Sequence, residues 1–71
     1  MLQKEPLTER QKQVLDYIEG YIGKNGIAPY LREIADAFNM KIGSVQWIIG
    51  QLELKGHIRK NHNKFRGMTL L

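Results

Sequence analysis

The sequence predicts a mainly α fold with a small β-hairpin: a three-helix bundle followed by two short strands. Three observations carry that expectation. Apolar residues recur at helical spacing in three separate stretches, centred near residues 18, 35 and 48. The helical pattern breaks at Asn39 and resumes a few residues later without a proline or a glycine pair. After Gly56 it gives way to two short runs around the turn-rich segment NHNKFRG. With 71 residues, the chain is expected to form one domain over 1–71, with residues 1–6 as a flexible lead-in.

The first helix is expected to start after Thr8, because T-x-x-Q with Gln11 three residues on is a capping box. Val14, Leu15, Ile18, Tyr21 and Ile22 then form one apolar face. Its end is expected within Gly23 to Gly26, where Asn25-Gly26 offers a left-handed stop. Pro29 keeps Ala28 extended, so Ile27-Ala28-Pro29 reads as a link. The second helix is placed at Leu31 to Phe38 and closed by Asn39, since asparagine tolerates the left-handed conformation. The third is placed at 42–54, burying Val45, Ile48, Ile49 and Leu52, with Lys55 complementing its dipole and Gly56 ending it. Two strands, one at His57 to Lys60 and one at Met68 to Leu71, complete the order.

Composition narrows the function classes. There is no cysteine, so neither a disulfide nor a Cys-based zinc site is available. No segment approaches the ~20 apolar residues of a membrane span, and the N-terminus has no apolar run of a secretory signal. Charge is uneven: residues 1–40 carry a net of −1 and residues 41–71 a net of +5, with nothing acidic after Glu53. Such asymmetry suggests a polyanion-facing half; the plainer reading is a solvated basic end.

The break at Asn39 has the marks of a helix-turn-helix. Ile34, Phe38, Met40, Val45 and Ile48 supply contacts at successive spacings of 4, 2, 5 and 3, and the small Ala35 sits where two helices would cross. Two ordinary core helices are the competing reading. If the motif holds, the second helix crosses the DNA backbone and the third enters the major groove by its N-terminal residues. Off its buried stripe lie Lys41, Gly43, Ser44, Gln46 and Trp47. Gln46 suits a bidentate pair with adenine, Lys41 a guanine or phosphate, and Ser44 either. Gly43 would allow close approach. Trp47 has three readings: a groove contact, a protein-partner anchor, or a ring folded back on the core. The basic turn over 60–66, with Lys60, Asn61, Lys64 and Arg66, suits a wing on backbone phosphate, or else a solvated hairpin tip.

The stretch LTERQKQVLDYIEGYIGKNGIAPYLREIADAF, with LELKGHIRK and FRGMTLL, resembles the N-terminal DNA-binding domain of the LexA repressor family over about residues 7–71. The combination of L-T-x-R-Q, G-x-x-P-x-x-R-E-I-A, L-x-x-K-G-x-I and a late R-G carries the resemblance. It implies a winged helix-turn-helix that binds an operator and represses transcription. It also implies base reading at Lys41, Gly43, Ser44, Gln46 and Trp47, and a wing at 60–66. Tyr30 departs from the usual Ser or Thr cap of the second helix. The turn into the third helix is a residue shorter than is typical, and the base-reading side chains differ, so the family's operator does not transfer. No Ser-Lys pair of the family's self-cleaving peptidase is present, which points to an isolated domain of a longer regulator or a small stand-alone protein.

The expectation is therefore a sequence-specific transcriptional regulator, cytoplasmic and nucleoid-associated, bacterial or phage-encoded, with double-stranded DNA as partner and a homodimer on DNA. A winged helix used for protein contacts is the alternative, and RNA binding is disfavoured by the lack of stacking aromatics. No cofactor, metal, small-molecule substrate or catalytic activity is expected. His57 and His62 have no cysteine or nearby carboxylate to complete a metal set, and GYIGKNG lacks the phosphate-loop pattern.

Overall fold

The computed structural model describes residues 5–60 and 68–71. Its elements are α1 (Glu9–Asn25), α2 (Leu31–Phe38), α3 (Ile42–Leu54), β1 (Ile58–Lys60) and β2 (Met68–Leu70). Each helix starts and stops for a local reason. At α1 the Thr8 hydroxyl accepts from the Gln11 N–H at 3.2 Å and the Gln11 side chain accepts from the Thr8 N–H at 3.1 Å, the expected reciprocal box. Gly26, at φ 77°, closes the helix by donating its N–H to the Ile22 carbonyl.

Tyr30 begins α2 without a side-chain cap. Glu33 takes over that work: one carboxylate oxygen accepts from the Tyr30 N–H at 2.8 Å and the other from the Tyr21 hydroxyl of α1 at 2.7 Å. One carboxylate thus satisfies a helix end and ties it to a neighbouring helix. Asn39 ends α2 at φ 53°, with Met40 N–H on the Ala35 carbonyl and Asn39 N–H on that of Asp36. This paired bonding lets a non-glycine residue hold the left-handed position. The same pattern ends α3, where Gly56 at φ 87° donates to Glu53 and His57 donates to Leu52. Lys55 is the C-cap residue of α3. Its ammonium donates to Gln11 Oε1 at 2.7 Å, which draws the charge across to α1.

The core draws on every helix and on β1: Val14, Ile18, Ile34, Val45, Ile49, Leu52 and Ile58 are wholly buried. Each contributes roughly 1.5–3 kcal/mol through area removed from water. Ala35 lies in the same cluster, its small side chain suited to the α2–α3 crossing. Tyr21 and Ile22 are only half-buried. Phe38 meets Tyr17 edge-on at 5.7 Å, with the Arg10 guanidinium 5.7 Å from its ring.

The strands pair antiparallel, Ile58 with Leu70, Arg59 with Thr69 and Lys60 with Met68. Ile58 faces the core while Arg59 and Thr69 face solvent, as the two-residue period requires. Of the lead-in expected over residues 1–6, residues 1–4 lie outside the described residues; the Glu5 N–H donates to the Lys55 carbonyl and its carbonyl accepts from His57 Nε2 at 2.8 Å. The Leu71 N–H donates to the His57 carbonyl at 3.0 Å. No described helix is long and apolar enough to cross a membrane.

Candidate nucleic-acid interface

One side of α3 is committed to the core through Val45, Ile48, Ile49 and Leu52. A helix advances 100° per residue, so the opposite side carries Gly43, Trp47, Gly50 and Leu54 in line, with Ser44 and Gln46 flanking them. Lys41, Gly43, Ser44, Gln46 and Trp47 are all exposed, and they sit together over the first two turns. Trp47 is 68% exposed, which rules out the ring folded back on the core.

The start of α3 is sharp. Ser44 and Val45 both donate their N–H groups to the Lys41 carbonyl, at 3.0 and 3.1 Å. Lys41 makes no side-chain cap, and the first turn holds no acidic residue. The positive end of the helix dipole therefore meets solvent beside a lysine rather than beside a carboxylate of the chain. From residue 37 to residue 52 there is no Asp or Glu at all.

A cleft beside this end is lined by Tyr30, Arg32, Glu33, Asp36 and Ile42. Exposed Arg32, on the first turn of α2, lines this cleft with Ile42 of α3 and is a further candidate that residue spacing alone does not single out. Arg59, outward on β1, is a second.

Of the wing residues, Lys60 is half-buried, and its N–H donates to Glu53 Oε2 at 3.4 Å. Glu53, the lone acid after Asp36, thus serves the root of the hairpin. Lys41 and Glu53 lie about 18 Å apart along α3 at 1.5 Å per residue, so the hairpin root and the exposed first turns are separate regions. Asn61, Lys64 and Arg66 lie outside the described residues. Among the described residues, no group of three His, Cys, Asp or Glu side chains is placed to hold a metal ion.

A family model described as the LexA DNA binding domain matches residues 4–67. The chain is similar to the LexA repressor of Syntrophotalea carbinolica, 46% identical over 66 residues, which is 92% of this chain and 33% of that protein. It is 44% identical over 70 residues to the LexA repressor of Petrotoga mobilis, covering 94% of this chain and 33% of the relative. With the LexA repressor of Bifidobacterium adolescentis it shares 42% identity over 66 residues, 92% of this chain and 26% of the relative. The chain thus spans a third or less of the length of these relatives.

Proposed function

Because the chain belongs to the LexA DNA-binding domain family, we propose that it is the operator-reading module of a cytoplasmic transcriptional repressor, binding double-stranded DNA sequence-specifically. In this reading α3 enters the major groove. Gln46 and Trp47 meet base edges, Lys41 and Ser44 bond bases or phosphates, and Gly43 lets the helix end approach. Arg32 and Arg59 join Lys60, Asn61, Lys64 and Arg66 on phosphate, which gives affinity and register without sequence information.

The observation that carries the proposal is the outer face of α3. Its first two turns present amide, hydroxyl, ammonium and indole groups to solvent with no carboxylate, while the other side anchors the helix rigidly in the core. A phosphate-rich groove repels carboxylates and accepts the rest. A single module of this kind covers only ~600–1,000 Å² on DNA, so specific repression calls for two copies on paired half-sites.

Fluorescence anisotropy against random duplex DNA at two salt concentrations tests the reading. The wild-type chain should bind with a steep salt dependence. Lys60→Ala with Lys64→Ala should lower the slope of log affinity against log salt by about 1.8, at roughly 0.9 per lost phosphate contact on duplex DNA. Against individual duplexes of different sequence, Gln46→Ala with Trp47→Ala should lose the preference that the wild type shows. A folded protein that binds no duplex even at low salt would sink the proposal and turn attention to a protein partner at Trp47.

A further inference from the structure

We infer that the half-site this chain selects holds an A·T pair whose thymine methyl lies against Trp47, so that apolar contact, and not hydrogen bonding alone, sets specificity there. The inference rests on the DNA-binding reading above and names which sequence feature α3 takes.

The geometry around Trp47 carries it. Gly43 lies one turn before Trp47 and Gly50 one turn after, on the same face. Among the described residues a Cβ added at either would meet nothing within 4 Å, so no packing among them requires a glycine at either position. Along this stretch the indole is the one side chain projecting from the line opposite the core, and 68% of Trp47 is exposed. The next side chain in line is Leu54, two turns and about 10.5 Å further on. A ring standing alone between two glycines reaches furthest into whatever the helix faces.

The chemistry of the neighbours narrows what it meets there. Cytosine is read through its amino donor by Asp or Glu, and none occurs between residues 37 and 52. Guanine is read by Arg or Lys; the first two turns of α3 hold neither, and Lys41 stands just before them as the N-cap. At the middle of the reading face stand an amide, Gln46, and an indole. An amide matches adenine, which offers one donor and one acceptor side by side. The one apolar group on the floor of the major groove is the thymine methyl, and the indole offers it a broad apolar ring. Gln46 and Trp47 are consecutive, so the amide and the ring address neighbouring edges of an A·T step.

The test begins with a duplex recovered from a randomised pool by repeated binding and amplification. Each thymine of the half-site is then replaced in turn by uracil, which removes only the methyl. Anisotropy of the end-labelled duplex reports binding, because Trp47 is the sole tryptophan and its variants carry no indole of their own. At one position uracil should weaken wild-type binding about fourfold, the value of one buried methyl. Trp47→Ala should bind the thymine duplex more weakly and no longer distinguish it from the uracil one, with unchanged circular dichroism. Trp47→Phe, which keeps a ring, should retain part of the discrimination. Lys60→Ala should weaken both duplexes alike and leave their ratio intact. Equal wild-type affinity for thymine and uracil at every position overturns the inference while leaving DNA reading intact, and so does a ratio that survives in Trp47→Ala. If the pool yields no preferred duplex, the reading beneath falls as well.

Discussion

At its C-terminal end α3 is tied to four other segments. The Leu52 and Glu53 carbonyls accept from His57 and Gly56, the Lys55 ammonium reaches Gln11 of α1, and the Lys55 carbonyl takes the Glu5 N–H. The Glu53 carboxylate holds the first strand at Lys60, while His57 holds both Glu5 and Leu71. At its N-terminal end the same helix has no side-chain cap and no acid in the first turn, and Lys41, Ile42, Gly43, Ser44, Gln46 and Trp47 all lie exposed. One end of the helix concentrates what holds the fold; the other concentrates groups that do little for it. Thirteen residues of one helix therefore divide the work of stability and of proposed recognition between them.

The largest expected effect lies at the tied end. Leu52 is wholly buried in the last turn of α3, and Leu52→Ala should cost about 2–5 kcal/mol in lost transfer energy and a residual cavity. A domain of this length has only ~0.05–0.15 kcal/mol of stability per residue, so in a urea titration followed by circular dichroism the midpoint should fall steeply. A midpoint equal to that of wild type would mean that the stability does not reside there. Gly56→Ala is milder. At φ 87° an alanine is strained by about 1–2 kcal/mol, so the midpoint should fall while the steepness of the transition stays the same. An unchanged midpoint would show that the stop at Gly56 is incidental to the tie.

The same division explains what the sequence could tell. The Thr8–Gln11 box, the left-handed Asn39 and the stops at Gly26 and Gly56 are decided within a few residues of chain. Residue type and spacing therefore suffice to place all three helices. The contacts that the sequence could not reveal join residues far apart. Lys55 reaches Gln11 across 44 positions, and Tyr21 reaches Glu33 across 12. Which carboxylate or amide a lysine or tyrosine meets is settled only when helix faces meet. Tyr30 looked like a missing cap because the replacement, Glu33, depends for half its bonding on α1. On the candidate face the stripe of buried residues was enough to tell which side of α3 would face outward. It could not tell whether the indole of Trp47 would turn outward or back, because a ring that size can cover its own helix. Arg32 shares a cleft with Ile42 only once α2 and α3 have crossed, so spacing alone does not single it out.

The smallest effect sharpens the comparison most, because stability and binding should move in opposite directions. Gly50 lies inside α3 on the exposed face, and a Cβ there meets nothing within 4 Å. Gly50→Ala should therefore stabilise the protein by roughly 0.5–1 kcal/mol, the usual gain from replacing a mid-helix glycine. Gly20 has the same open surroundings on α1, outside the proposed reading face, and Gly20→Ala should give a similar gain. If the outer face of α3 lies against DNA, the two variants part company in an anisotropy titration: the methyl at residue 50 weakens binding and the one at residue 20 leaves it unchanged. Among the described residues nothing occupies the space beside Gly50, so a loss of affinity in Gly50→Ala would come from a partner outside the chain. If both variants gain stability and both keep full affinity, contact with DNA ends before the third turn, and the open end of α3 is confined to residues 41–47.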